Sequence, residues 1–394
     1  MAVQKESSAP LMGAGSVLQL IRDREGMTRS DLARITGLAR STVAQRVDAL
    51  LAHELVYEAG GTASTGGRPP TLLTFNQRAG VVLVADLGAT HSRLAASDLA
   101  GAPLAEEAFD MDIAAGPEKV LGMVDEHFTA LLGELGRAPE DVRGIGIGVP
   151  GPVAFTKGQP VKPPIMPGWN GFPIPRWFAG RYDAPVLVDN DVNIMALGEH
   201  WANWRETEHL MFVKVGTGIG CGIVAGRAIH RGAQGAAGDI GHIRLAGHED
   251  VVCHCGNLGC VEAVAGGGAL ARRLTEAGIE AHDSRDVVRL VRADDASAVR
   301  MVREAGRYLG EVLASCVNFF NPGVIVIGGD LGEAPELLAG VREVTIQRSL
   351  PLATGELAIV ASRLGVRAGV IGAAVMVVEH VLAPDVVDRV VHAA

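Results

Sequence analysis

The chain has 394 residues, 48% of them hydrophobic, which is enough for two or three domains with sizeable cores. Its net charge is −10, yet residues 1–78 carry nine Lys and Arg against seven Asp and Glu, so a mildly basic head precedes an acidic body. Residues 1–12 lack the apolar segment of a signal peptide, and no apolar run reaches the roughly 18 residues of a membrane span, so we expect a soluble cytoplasmic protein without membrane contacts.

The first part of the chain has the pattern of a winged helix-turn-helix domain. Residues 1–13 are predicted to be disordered, and the domain is predicted over 14–78. A first helix over 14–24 precedes a second that Gly37 ends, because glycine readily adopts the left-handed conformation after a helix. Ser41 is expected to cap the third helix, which is placed as the recognition helix.

The polar face of this third helix and the following loop carry residue types that contact DNA. Residues 60–70 are rich in Gly, Ser and Pro and lie between two short predicted strands, which is typical of a wing whose arginine enters a minor groove. A small three-helix packing module with a solvated arginine face is the alternative interpretation. The candidate DNA-binding residues are Arg40, Ser41, Thr42, Gln45, Arg46 and Arg68.

In the predicted body, residues 79–394, four apolar strands each run into a Gly-rich turn. These stretches are 81–90, 144–152, 212–224 and 324–330. One such turn is usually a plain turn, but four of them between helical segments predict an α/β body in two lobes that cradles phosphates. The candidate nucleotide or phosphate residues are Asp86, Gly88, Thr90, Gly216, Thr217, Gly218, Gly328 and Gly329.

A further strand, within 186–193, delivers polar side chains at its end. Asp191 is placed to take a proton from a hydroxyl, as phosphoryl transfer to an alcohol requires. Asn190 is placed to hold a neighbouring hydroxyl, whereas Asp189 is expected only to cap the following helix.

A cluster of metal-ligating residue types follows the third Gly-rich turn. His242, Cys253, Cys255 and Cys260 make up a Cys3His set, which suits one structural Zn²⁺ per chain and leaves no open position. Three small buried cysteines are the alternative interpretation, and His248 and His254 compete with His242 as the imidazole ligand. The remaining cysteines, Cys221 and Cys316, are predicted to be core thiols, which fits a reducing compartment.

Together these motifs resemble the ROK family (repressors, open reading frames, kinases) over about residues 14–385. The most specific elements are Cys-x-Cys-Gly-x-x-Gly-Cys-x-Glu at 253–262 and Gly-x-x-Gly-x-x-Gly-His at 235–242. The resemblance implies a ribonuclease-H-like, actin-like fold, a homodimer or tetramer, and a hexose-type ligand between the lobes. It also implies sugar contacts from Asn190, Asp191, Asp239, His242 and Glu262, with the zinc fixing the loop that carries them.

Two positions depart from the pattern of the family's kinases. Ala89 replaces the second glycine of the first phosphate turn, and Asp239 replaces a glutamate, so its carboxylate is one methylene shorter. With a DNA-binding head in front, the favoured hypothesis is a sugar-responsive transcriptional regulator, a repressor of sugar uptake or catabolism genes that binds an operator. The alternatives are an ATP- and Mg²⁺-dependent sugar kinase with Asp191 as catalytic base, a bifunctional protein, or a scaffold for a protein partner. Xylose, glucose, N-acetylglucosamine, glucosamine and a phosphorylated sugar all remain open as ligands.

Overall fold

In the computed structural model of the chain, residues 13–24, 26–60 and 71–392 are described. The head consists of a three-helix unit followed by a two-stranded ribbon. Thr28 caps the second helix in a reciprocal arrangement, because its hydroxyl accepts from the Asp31 amide while the Asp31 carboxylate accepts from the Thr28 amide. Gly37 ends that helix at φ 71°, as predicted. The elements are α1 (Ala14–Asp23), α2 (Arg29–Thr36), α3 (Arg40–Ala52), β1 (Val56–Ala59) and β2 (Leu72–Phe75).

The start of α3 differs from the sequence prediction. The helix begins at Arg40, and its N-cap is Ala39, which offers no side-chain oxygen. Ser41 is therefore already inside the first turn, and the prediction that it caps the helix is wrong.

The two strands on either side of the predicted wing, β1 and β2, pair antiparallel, with Val56 opposite Phe75. Predicted wing residues 61–70 lie outside the described residues, as do residues 1–12.

The first lobe of the body is built on a five-stranded sheet. Its strand order is β5-β4-β3-β6-β9, in which β3, β4 and β5 form an antiparallel meander and β6 and β9 run parallel to β3. The elements of this lobe are β3 (Val81–Leu87), β4 (His91–Ser97), β5 (Pro103–Asp110), α4 (Pro117–Glu134), β6 (Val142–Val149), β7 (Val153–Ala154), β8 (Gln159–Pro160), α5 (Ile174–Phe178), β9 (Val186–Asn190) and α6 (Asp191–Asn203).

The second lobe repeats this plan. Its sheet has the order β12-β11-β10-β13-β14, again an antiparallel meander followed by two parallel strands. Two sheets of the same topology confirm the predicted α/β, actin-like fold. The elements of this lobe are β10 (His209–Val215), β11 (Ile219–Ala225), β12 (Ala228–Ile229), α7 (Val261–Ala265), α8 (Gly267–Glu276), α9 (Ser284–Arg292), α10 (Ala296–Phe320), β13 (Val324–Gly328), α11 (Pro335–Arg348), α12 (Pro351–Thr354) and β14 (Ala358–Ala361). Two helices follow, α13 (Ala368–Val381) and α14 (Pro384–His392), and α13 packs on the first lobe.

Residues 284–320 form two helices, α9 and α10, with a break between them. Asp294 adopts φ 55°, a conformation no helix contains, and the Asp295 carboxylate then caps α10 by accepting from the amides of Ser297 and Ala298. Among the described residues no single helix is long and apolar enough to cross a membrane; only a pair bent by 54°, residues 365–381 with α14, satisfies length and composition together.

Helices α6 and α13 cross at very short distance. A Cβ built on Gly372 would lie 1.7 Å from the Ile194 carbonyl oxygen, and one built on Gly198 would lie 2.2 Å from the Ala368 carbonyl oxygen. Only glycine permits so close an approach between α6 and α13. Buried Glu199 also joins the two helices, because it accepts from the Ser362 hydroxyl and from two amides of the loop before α13.

The head packs directly on the end of the chain. The Asp388 carboxylate of α14 accepts from the Gly15 amide at 2.9 Å and so caps the first turn of α1. Arg22 of α1 pairs with Glu379 of α13 at 2.9 Å. One hydrophobic cluster contains Leu18 and other head residues together with residues of β3, α13 and α14, so head and body share a core.

Candidate functional site

The recognition helix presents part of its predicted DNA face to solvent. Arg40, Ser41 and Gln45 are exposed, and Thr42 is half-buried. Arg46 is also half-buried, and its Nη1 lies 3.3 Å from Nε2 of His392 in α14. The arginine therefore contacts the C-terminal helix in this structure, a contact between residues 346 apart. Predicted wing residue Arg68 lies outside the described residues.

The four predicted metal ligands come together in space. Their ligand atoms all lie within 4.8 Å of one another, with Cys255 Sγ 3.7 Å from Cys260 Sγ and His242 Nδ1 3.7 Å from Cys253 Sγ. Tetrahedral zinc with bonds of about 2.3 Å to sulfur would place neighbouring sulfurs about 3.8 Å apart. The spacing and the donor set therefore fit such an ion, so these residues could hold a metal ion.

A large cleft lies between the two lobes. Its volume is about 840 Å³, and its walls come from the carboxyl ends of strands in both sheets. In open α/β sheets, ligands bind at such strand ends. The predicted residues that line it are Asp86, Gly88, Asn190, Asp191, Gly216, Thr217, Gly218, Asp239, His242, Glu262, Gly328 and Gly329. Thr90 is exposed and is not among the lining residues, whereas Ala89 and His91 on either side of it are.

Asn190 takes the helix-capping role that the sequence suggested for Asp189. Asn190 caps α6, since its Oδ1 accepts from the amides of Val192 and Asn193, and its Nδ2 donates to the Gly151 carbonyl and to Asp191. All of its hydrogen-bonding capacity is thus in use. The prediction that Asp189 caps the helix is wrong.

Asp189 instead joins the lobes. Asp189 is 2% exposed, and its carboxylate pairs with Arg231, whose Nε and Nη2 lie 2.8 and 2.7 Å from the same oxygen. The Arg231 guanidinium also stacks on the Phe155 ring at 3.8 Å. Because Arg231 begins the loop that leads to Asp239 and His242, this pair fixes that loop against the first lobe.

Asp191 keeps one acceptor position for a ligand. Its Oδ1 accepts from Asn190 Nδ2 and from the Val192 amide, both at 3.0 Å. Its Oδ2 accepts from Lys214 Nζ at 2.6 Å. A carboxylate oxygen accepts two hydrogen bonds, so Oδ2 has one lone pair left for a hydroxyl in the cleft.

Lys214 is a charged residue of the cleft that the sequence pattern did not single out. It lies on β10 and lines the cleft, with its side chain 25% exposed. Desolvation alone would lower the pKa of Lys214, but the charges of Asp191 and Asp86 raise that pKa above its ordinary value. Burial raises the pKa of Asp86 to about 7 in turn, against the opposing effect of Lys214. The only signal in the sequence is a lysine within the otherwise apolar run Phe212–Val215.

The loop of the metal cluster is joined to the third Gly-rich turn through Glu262. Its Oε2 accepts from the Ile219 amide at 3.0 Å, and a Cβ on Gly218 would lie 2.3 Å from that oxygen. Asp239 is exposed at the cleft, so its carboxylate oxygens are accessible to a ligand. Two acidic side chains and an imidazole thus face the space beside Asp191.

The geometry agrees with the comparisons with known proteins. Residues 82–380 match the ROK family, and residues 15–56 match a winged helix-turn-helix DNA-binding domain. The chain belongs to the ROK family. A putative xylose repressor from Caldicellulosiruptor sp. (strain Rt8B.4) is 33% identical over 390 residues, covering 94% of this chain and 96% of that repressor.

Two solved structures of this family, one a regulator and one a kinase, resemble the chain. A ROK family transcriptional regulator, a homolog of E. coli MLC protein, aligns with a TM-score of 0.80 at 27% identity and covers 97% of this chain and 98% of its own. A ROK hexokinase from Thermus thermophilus aligns with a TM-score of 0.63 at 34% identity, covering 77% of this chain and 98% of its own. The comparisons confirm the prediction of a sugar-responsive, DNA-binding transcriptional regulator in a family that also contains sugar kinases.

Proposed function

We propose that this chain represses genes of sugar use by binding an operator through α3, and that an uncharged sugar in the interlobe cleft releases it. The observation that carries the proposal is the continuous packing from the cleft to the head. Helix α6 begins at Asp191, crosses α13 at Gly372, and α13 reaches the head through Glu379 and Arg22. A ligand that moves α6 therefore acts on the element that holds α1.

The cleft offers mostly acceptors, which suits the hydroxyls of a sugar. Asp191 Oδ2 has one free lone pair, Asp239 is exposed, and Glu262 has an oxygen not used by the Ile219 amide. His242 would direct one ring nitrogen to the metal and the other to the ligand. Xylose is the first candidate, because relatives of nearly full-length coverage are named xylose repressors.

The metal cluster would hold Zn²⁺ and act as a structural support. Three thiolates and one imidazole leave no open coordination position, so the ion would have no catalytic role. Coordination through His242 would fix the ring that faces the ligand, and the Glu262 contact would carry the same support to the Gly-rich turn.

The operator would be read by two heads. Helix-turn-helix proteins commonly bind two half-sites about one helical turn apart, with a two-fold axis that the protein shares. A homodimer, or a tetramer made from two dimers, supplies that symmetry, and the site of action would be the cytoplasm. Arg40, Ser41, Thr42, Gln45 and Arg46 would face the major groove, with residues 14–78 forming the head and 79–394 the body.

The experiment is a fluorescence-anisotropy titration of the full chain on DNA from its own upstream region, with and without each sugar. The panel contains xylose, glucose, glucosamine, N-acetylglucosamine and the phosphorylated forms. We expect one uncharged sugar to lower operator affinity at least about tenfold, the lower part of the range of allosteric couplings. Asp191→Asn is the matched control, expected to bind DNA but not to respond. An operator complex that no sugar changes would contradict the proposal.

A further inference from the structure

Lys214 contacts Asp191, the side chain that would act as the base if this cleft catalysed phosphoryl transfer. Its Nζ is 2.6 Å from Asp191 Oδ2, the oxygen that faces the cleft. A Cβ built on Gly216 would lie 3.7 Å from both Lys214 Cε and Asp330 Oδ2, so these side chains border the same space. Asp86 also contributes to the charge that Lys214 experiences. One ammonium group is thus set among carboxylates from both lobes.

Two simpler roles for Lys214 do not account for this arrangement. A lysine that binds a phosphate group works where the surrounding charge is positive, whereas this one donates to Asp191 and lies near Asp86 and Asp330, whose negative charges would repel a phosphate. A lysine that only stabilises the fold would not need to lie on the wall of a cleft of about 840 Å³. The position is that of a counter-ion to acidic side chains at a ligand site.

We propose that Lys214 is a positioning residue that holds Asp191 as a hydrogen-bond acceptor and excludes a divalent metal ion from the carboxylates around it. Its ammonium lies against the Asp191 oxygen that a divalent ion would need as a ligand, and its charge would oppose the binding of that ion. The cleft would therefore select an uncharged sugar over a metal–nucleotide complex. This inference deepens the proposed sugar site and rests on it.

The test is a titration of the zinc-loaded full chain with Mn²⁺, followed by electron paramagnetic resonance of the free ion, without sugar or DNA. Lys214→Met removes the charge and keeps most of the side-chain length. We expect it to bind Mn²⁺ at least about tenfold more tightly than the parent, because a unit positive charge beside the carboxylates is gone. Lys214→Arg keeps the charge and should bind Mn²⁺ as weakly as the parent.

The double variant Lys214→Met with Asp191→Asn identifies the place of binding and should lose the gain. Lys214→Gln is the second variant if Lys214→Met does not fold, as judged by circular dichroism. If both uncharged variants bind Mn²⁺ no more tightly than the parent, or if the gain survives Asp191→Asn, the inference is overturned. Because neither sugar nor DNA enters the measurement, this result is independent of whether the operator responds to a sugar.

Discussion

The crossing of α6 and α13 allows a stability prediction with a magnitude. A Cβ on Gly372 would lie 1.7 Å from the Ile194 carbonyl oxygen and 2.7 Å from the Gly198 amide nitrogen. Real Cβ atoms essentially never come within 3.0 Å of such atoms, so the helices must separate by more than 1 Å at this point. The obstructing atoms belong to the backbone, which cannot rotate away as a side chain does.

Gly372→Ala therefore combines a gain with a larger loss. Alanine in a helix interior is favoured over glycine by about 1 kcal/mol. Overpacking a well-packed contact costs about 1–3 kcal/mol, and a backbone obstruction belongs at the upper end of that range. We expect the free energy of unfolding to fall by about 2 kcal/mol, and the operator response to sugar to weaken, because the displaced contact lies between cleft and head.

The assay is urea unfolding followed by tryptophan fluorescence, with Gly133→Ala as the matched control. Gly133 is an exposed helical glycine of α4, and a Cβ there would have nothing within 4 Å. This control should raise the free energy of unfolding by up to about 1 kcal/mol. Equal urea midpoints for the two variants would refute the reasoning, since both make the same substitution in a helix.

Three further predictions concern the metal, the DNA and catalysis. Cys253→Ser should lose the bound metal, measured by elemental analysis, together with sugar affinity by calorimetry; full sugar affinity in the metal-free protein would contradict the supporting role of the cluster. Gln45→Ala should weaken operator binding by about 1–3 kcal/mol without changing sugar affinity, and Arg46→Ala should do the same; if both bind the operator like the parent, α3 is not the recognition helix. In a coupled ADP-release assay over hexoses, pentoses and amino sugars, we expect no useful turnover; a rate near 1 s⁻¹ that disappears in Asp191→Asn would make the protein a kinase.

Local patterns were sufficient to predict the helices of the head and the grouping of the four candidate metal ligands, although not every helix boundary. Gly37 and the apolar spacing of α3 are properties of neighbouring residues, and so is the Cys-x-Cys spacing that places Cys255 near Cys260. The Gly-rich turns mark strand ends because glycine is unfavourable within a strand and readily adopts the conformations of a turn. These features depend on the backbone within a few residues, so the sequence carries them directly.

The contacts between distant segments could not be predicted in this way. Asp189 looks like a helix cap until Arg231, 42 residues later, is seen beside it. Arg46 looks like a free DNA-reading side chain until α14 brings His392 to it. Lys214 was visible as a charge in an apolar strand, but its partner Asp191 belongs to the other side of the cleft. Hydrogen bonds across such separations depend on the tertiary fold and leave no periodic signal.

The capping of α1 by Asp388 has a consequence for how the protein is made. The Gly15 amide and its partner carboxylate are 373 residues apart, and ribosomes add about 5–20 residues per second. The head leaves the ribosome first, but Leu18 and its neighbours lack part of their hydrophobic surroundings until α14 has been synthesised, tens of seconds later. A nascent chain, or one that terminates before α14, therefore has a DNA-binding head whose hydrophobic core is incomplete. The head reaches its full packing only after α14 has been synthesised and has folded against it.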